Sequence, residues 1–188
     1  MESAMTLRGT RVLLRPWRAD DVAAFAQLNA DPAVMEYFPS VLDTEQSDDL
    51  AKRIQAGFEN NGFGFWALEI PDVLPFAGFV GLSVPGTAAL PFMPAVEIGW
   101  RLCQQAWGKG YASEAARVVL AHAFTTLKLS EVVAFTTLTN QRSQAVMQRI
   151  GMRYAEGEEF THPALPADHP LRHHVLYRLR HRDWLKQQ

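Results

Sequence analysis

Residues 96–114, VEIGWRLCQQAWGKGYASE, constrain the fold more than any other stretch of the chain. Val96, Ile98, Trp100 and Leu102 alternate with Glu97, Gly99 and Arg101, the period of a strand with one face in a core. Gly108 and Gly110 then flank Lys109, and beyond them Ala112, Ala116, Val119, Ala123 and Leu127 recur at helical spacing. The segment predicts strand, glycine loop and helix. Such a loop turns several backbone N–H groups toward one point, with the positive end of a helix dipole behind them, and so makes a seat for a phosphate or pyrophosphate. Glycine at 108 and 110 lets an anion approach with no Cβ in the way.

The motif narrows the anion. Lys109 is followed by Gly110 rather than Ser or Thr, so GxxxxGK[ST] fails, and Ser113 stands where GxGxxG needs its third glycine. What remains is QxxGxG, Gln105 to Gly110, behind a strand reading EIGW. This segment resembles the acyl-CoA-binding motif of the GCN5-related N-acetyltransferase (GNAT) superfamily. The opening LRGTRVLLRPWRADDVAAF is similar to the N-terminus of its ribosomal-protein N-terminal acetyltransferase, or RimJ/RimL-like, branch. From the residues alone, a ligand-free turn or a loop for another phosphate-containing nucleotide remains open.

At 188 residues the chain suits one well-buried domain, and the resemblance implies a single N-acetyltransferase domain over 1–188. With 48% apolar residues, five Trp and eleven Phe, a substantial core is available. A net charge of −2 argues against nucleic acid as the main partner. No apolar run approaches the roughly eighteen residues of a membrane span, and the N-terminus lacks a signal-peptide pattern, so a cytoplasmic protein is expected. The single cysteine, Cys103, agrees with a reducing compartment. Oligomeric state stays open, a homodimer included.

Along the chain, 7–17 reads as a first strand, and Asp20 or Asp21 as the cap of a helix through Phe25 and Leu28. Thr44 with Ser47 is expected to cap a second helix through Ile54 and Phe58, acidic at Asp43, Glu45, Asp48, Asp49 and Glu59. Strands are expected at 65–70 and 77–84, then a proline-rich connection, 85–94, into the central strand. After the cofactor helix come a buried strand at 132–138, a short helix ended by Gly151, an excursion over 156–170, and a last strand reading HHVLYRLRHRDW. The pattern is α/β. The resemblance implies the GNAT acyl-CoA N-acyltransferase fold, a mixed central sheet with a splayed, bulged central strand and flanking helices.

The same resemblance assigns the site. Acetyl-CoA is the expected cosubstrate, its pyrophosphate on the amides of Gln105, Trp107, Gly108, Lys109, Gly110, Tyr111 and Ala112, and its pantetheine along Trp100, Arg101 and Leu102. Asn140 and Ser143, matched to the family's NxxS positions, are expected to face the arm. Lys109 also reads as a solvated loop lysine. Glu97 is the candidate carboxylate that neutralises the acceptor amine, against a plain ion pair on a strand face. Ser143 and Tyr177 compete to protonate the departing thiolate, the tyrosine also reading as a core aromatic. The partner is an amine acceptor, a small molecule or a protein N-terminus, and the acidic 43–59 segment would steer a cationic one. A non-catalytic CoA-binding module is the alternative. No metal is expected, since His162, His169, His173, His174 and His181 lack metal-ligand spacing.

Overall fold

The structure, a computed structural model, describes residues 5–86 and 89–188. Thr87 and Ala88, inside the proline-rich connection, lie outside the described residues. The chain forms two compact units, Met1–Ser83 with Gly99–Val119, and Val84–Ile98 with Leu120–Gln188.

In the first unit, β1 (Leu7–Arg8) and β2 (Leu13–Arg15) form an antiparallel hairpin in place of the single strand expected over 7–17. Gly9 makes the difference: its N–H donates to the Val12 carbonyl at 2.9 Å and folds the chain back. β2 pairs antiparallel with β3 (Phe65–Ile70), which pairs antiparallel with β4 (Leu74–Ser83). Two helices, α1 (Asp21–Ala30) and α2 (Thr44–Asn61), pack onto this sheet. Phe25, Leu28, Val34, Ala51, Ile54 and Phe79 form their shared core, with Trp17 edge-on to Phe25 at 5.0 Å. Each fully buried aromatic there contributes about 1.5–3 kcal/mol.

The capping expectations need correction. Asp20 holds the N-cap place of α1 without a side-chain bond, while the Asp21 carboxylate accepts the Arg18 N–H at 2.7 Å. For α2 the cap is Asp43, in a reciprocal box with Gln46, rather than Thr44 or Ser47. Ser47 is instead fully buried and accepts from Asn29 Nδ2 at 2.9 Å.

β5 (Glu97–Leu102) and α3 (Tyr111–Thr125) contribute residues to both units. In the second unit, β6 (Glu131–Thr137) runs parallel to the start of β5 at Glu97↔Val133 and antiparallel to β9 (His173–Arg180) along its whole length, so the sheet is mixed. β9 also takes β7 (Arg153–Tyr154) and β8 (Phe160–Thr161), the latter formed by the 156–170 excursion. α4 (Gln141–Arg149) buries Met147. The last strand stops at Arg180, and the HRDWL expected to extend it is α5 (His181–Leu185). Helical geometry brings His181 and Trp184 each within 5.4 Å of the Phe124 ring, a contact that alternation along a strand would divide between two faces.

Candidate functional site

The glycine loop sits where a strand ends and a helix begins. After β5 a single 3₁₀ turn, Gln104–Ala106, is pinned by Trp107, whose indole N–H donates to the Leu102 carbonyl at 2.8 Å while its ring packs on the α1–α2 core. Gly108 (φ 70°) and Gly110 (φ 81°) then take the left-handed conformation that opens the turn. A Cβ on Gly108 would meet nothing within 4 Å. Trp107 N–H bonds Gln104 O and Glu114 N–H bonds Gly110 O, both at 3.0 Å; between them, among the described residues, the amides of 108–113 have no protein acceptor. These are the orphan donors of a helix N-terminus, extended backward by the loop.

Arg11 holds this loop in place. Its backbone N–H and Nε donate to the Glu114 carboxylate at 2.6 and 2.8 Å, and Nη1 donates to the Lys109 carbonyl at 3.0 Å. The guanidinium lies 4.9 Å over the Tyr111 ring. A pair this exposed adds little stability, but it fixes loop against helix. Nη2 stays beside Gly110, 3.4 Å from where a Cβ would stand, and is free to meet an anion.

Arg101 differs from every other arginine of this unit. Nη1 donates to Asn29 Oδ1 at 2.5 Å, and the guanidinium lies 4.1 Å over the Phe38 ring and 5.4 Å over that of Phe79. Its Nε is buried with no partner, and among the described residues no carboxylate pairs with it. Burial pushes its pKa down to about 10.

In the second unit, Asn140 caps α4: its Oδ1 accepts the Ser143 N–H at 3.1 Å, and its Nδ2 donates to the Thr136 hydroxyl at 2.9 Å. The Ser143 hydroxyl is half-buried and bonds to no described residue. Tyr177 is 3% exposed, and its hydroxyl shares long bonds with Gln148 Nε2 (3.3 Å) and Gln144 Oε1 (3.4 Å). Glu97 is half-buried on β5 opposite Val133. His174 and His162 are held below the ordinary imidazole pKa by burial, and among the described residues no three His, Cys, Asp or Glu converge on a metal position.

Residues 11–153 match the sequence profile of the acetyltransferase (GNAT) domain. The chain belongs to the GNAT acetyltransferase family. The N-acetyltransferase YnaD of Bacillus subtilis is 28% identical over 185 residues, 96% of this chain and 99% of that protein. The crystal structure of an acetyltransferase from Agrobacterium tumefaciens str. C58 superposes with a TM-score of 0.76 at 27% identity, covering 96% of each chain. At the level of fold, RimJ of Mycobacterium smegmatis, solved in complex with CoA-disulfide, matches with a TM-score of 0.72 at 22% identity, over 97% of this chain and 93% of that one. This acetyltransferase therefore carries the expected mixed α/β fold with flanking helices.

Within each unit the structure gathers part of the expected set. Gln105, Trp107, Gly108, Lys109, Gly110, Tyr111 and Ala112 form one loop in the first unit, following directly on Trp100, Arg101 and Leu102. Asn140, Ser143 and Tyr177 cluster around α4 in the second. Sequence reasoning missed Arg11 and Asn29. The only trace of the first contact was an acid, Glu114, in the first turn of α3, and Asn29 left none because its partner is 72 residues away.

Proposed function

We propose that this chain transfers acetyl from acetyl-CoA to a primary amine by direct attack within a ternary complex, as one domain spanning 1–188 in the cytoplasm. The observation that supports it is the glycine loop at the N-terminus of α3, whose amides at 108–113 show no backbone acceptor among the described residues and where a Cβ at 108 would meet nothing within 4 Å. Acetyl-CoA, when bound, supplies the acetyl group as a thioester.

The chain's own groups then have distinct tasks. The amides of 108–112, with Nη2 of Arg11, hold the diphosphate, and the main-chain groups of Trp100 to Leu102 guide the pantetheine. The Leu102 N–H polarises the thioester carbonyl as charge develops on its oxygen. Glu97 takes a proton from the ammonium, since a protonated amine has no lone pair to offer. Between the two candidate proton donors, the unengaged hydroxyl of Ser143 is freer to give a proton to a thiolate than that of Tyr177, which is already shared between two glutamines.

A thiol-release assay with purified protein and its Glu97→Gln, Ser143→Ala and Tyr177→Phe variants tests the assignment. Glu97→Gln and Ser143→Ala should each lose about 100-fold in kcat while still binding acetyl-CoA, and Tyr177→Phe should lose less. Full activity in all three variants overturns the roles. Absence of acetyl-CoA binding to the parent protein overturns the reading as a whole.

A further inference from the structure

We propose that Arg101 reads a carboxylate on the acceptor, and that the physiological acceptor is a small amine that also carries an acid group, as an amino acid does. This rests on the acetyltransferase reading and names the substrate class for the same site.

A guanidinium removed from water without a counter-charge is expensive, and buried charges are ordinarily paired. Arg101, half-buried, has among the described residues a neutral amide, Asn29, as its sole polar partner, and aromatic rings over its plane. Cation–π contact recovers part of that cost and leaves the in-plane N–H groups wanting acceptors. Asn29 takes Nη1. The edge left over is Nε with Nη2, the two parallel N–H groups that a carboxylate accepts side-on in bidentate fashion.

The surroundings keep this edge in place. Asn29 is itself fully buried and held by Ser47, so the bond to Nη1 fixes the rotation of the fork. Phe38, 39% exposed, lies over the guanidinium and fixes its plane. The β5 backbone at Arg101 is pressed against Gly78, where any Cβ would collide with the Arg101 carbonyl. Position therefore follows as well as chemistry: Arg101 directly precedes Leu102, whose N–H is assigned to the reacting carbonyl. A carboxylate on Arg101 would anchor an acceptor short enough to bring its own amine to that carbonyl.

The test compares each of a panel of amino acids with its carboxamide, in which the amine remains and the carboxylate is gone, using kcat/KM from thiol release. Wild-type protein should prefer the acid by roughly 30-fold or more, as expected for an interaction at a desolvated charge. Arg101→Met should abolish that preference, and Arg101→Lys, which keeps the charge without the fork, should retain a small part of it. Binding of acetyl-CoA, measured by calorimetry, should persist in both variants, because the cofactor contact assigned to this residue is through its main chain. Equal turnover of acids and amides by the wild type, a preference that survives Arg101→Met, or retained acetyl-CoA binding without turnover of any acid overturns the acceptor proposal alone. Loss of acetyl-CoA binding from the wild type instead overturns the acetyltransferase reading beneath it.

Discussion

Two arginines of the first unit, Arg15, fully buried, and Arg101, half-buried, both lose water on folding, and they are treated in opposite ways. Arg15, 3% exposed, spends every nitrogen: Nη1 and Nη2 fork onto Asp21 at 2.7 and 2.8 Å, Nε meets Glu69 at 2.6 Å, and the carbonyls of Pro16 and Pro75 take what remains. Its pKa is raised, first of all by the bond to Asp21. Arg101 has one amide and two rings, and its pKa is lowered by burial. A cation that ties β2, α1 and β3 together is satisfied by the chain itself. One that the chain leaves half satisfied has its remaining bonds to give to something else.

The largest effect that would break this contrast is on stability. Arg15→Met strands the Asp21 carboxylate in the interior, while Glu69 keeps Arg18, and should cost about 3–5 kcal/mol, lowering the melting temperature by on the order of 10 °C in a thermal scan. Arg101→Met removes an unpaired charge but leaves the buried Asn29 Oδ1 without its donor, so the net change should be small, within about 2 kcal/mol in either direction. A fall for Arg101→Met as deep as that for Arg15→Met would show that the two residues share one structural role.

The subtlest effect sharpens the contrast through pH. With a folded pKa near 10, below the ordinary guanidinium value, Arg101 sheds its proton in the folded protein first. Below about 10 its burial cost is constant; as pH rises from there toward the ordinary guanidinium value the unfolded chain holds more protons than the folded one, so this group's contribution to stability improves. Binding of a carboxylate needs the proton. Calorimetry with an N-acetylated amino acid should therefore show affinity that is flat through neutral pH and declines above about 10, whereas a flat profile throughout would remove Arg101 from the contact.

What could be read from the sequence was local. The strand at 97–102, the glycine turn and the helix from Tyr111 lie within one continuous run of residues whose periodicity announces each element. β3 ran over the expected residues for the same reason. The capping box of α2 was also within reach, since Asp43 and Gln46 have its spacing, but Thr44 and Ser47 compete as equally good cap formers. The ties that shape the site are not local: Arg11 meets Glu114 across 103 positions, and Arg101 meets Asn29 across 72. No period in the sequence carries them. Arg101 itself falls with Glu97 and Gly99 on the polar side of the alternation over 96–102, where a charge is ordinary, so the sequence carries no sign of its surroundings.

Gly78 shows how narrow the tolerance around that charge is. With φ at 136° and the Arg101 carbonyl where a side chain would begin, position 78 admits glycine and nothing larger. In a saturation library selected for acetyl transfer, this codon should return a single amino acid, although it lies outside the strand and loop assigned to the cofactor. It is also an early place to look when divergent members of such a lineage lose the reaction but keep the fold.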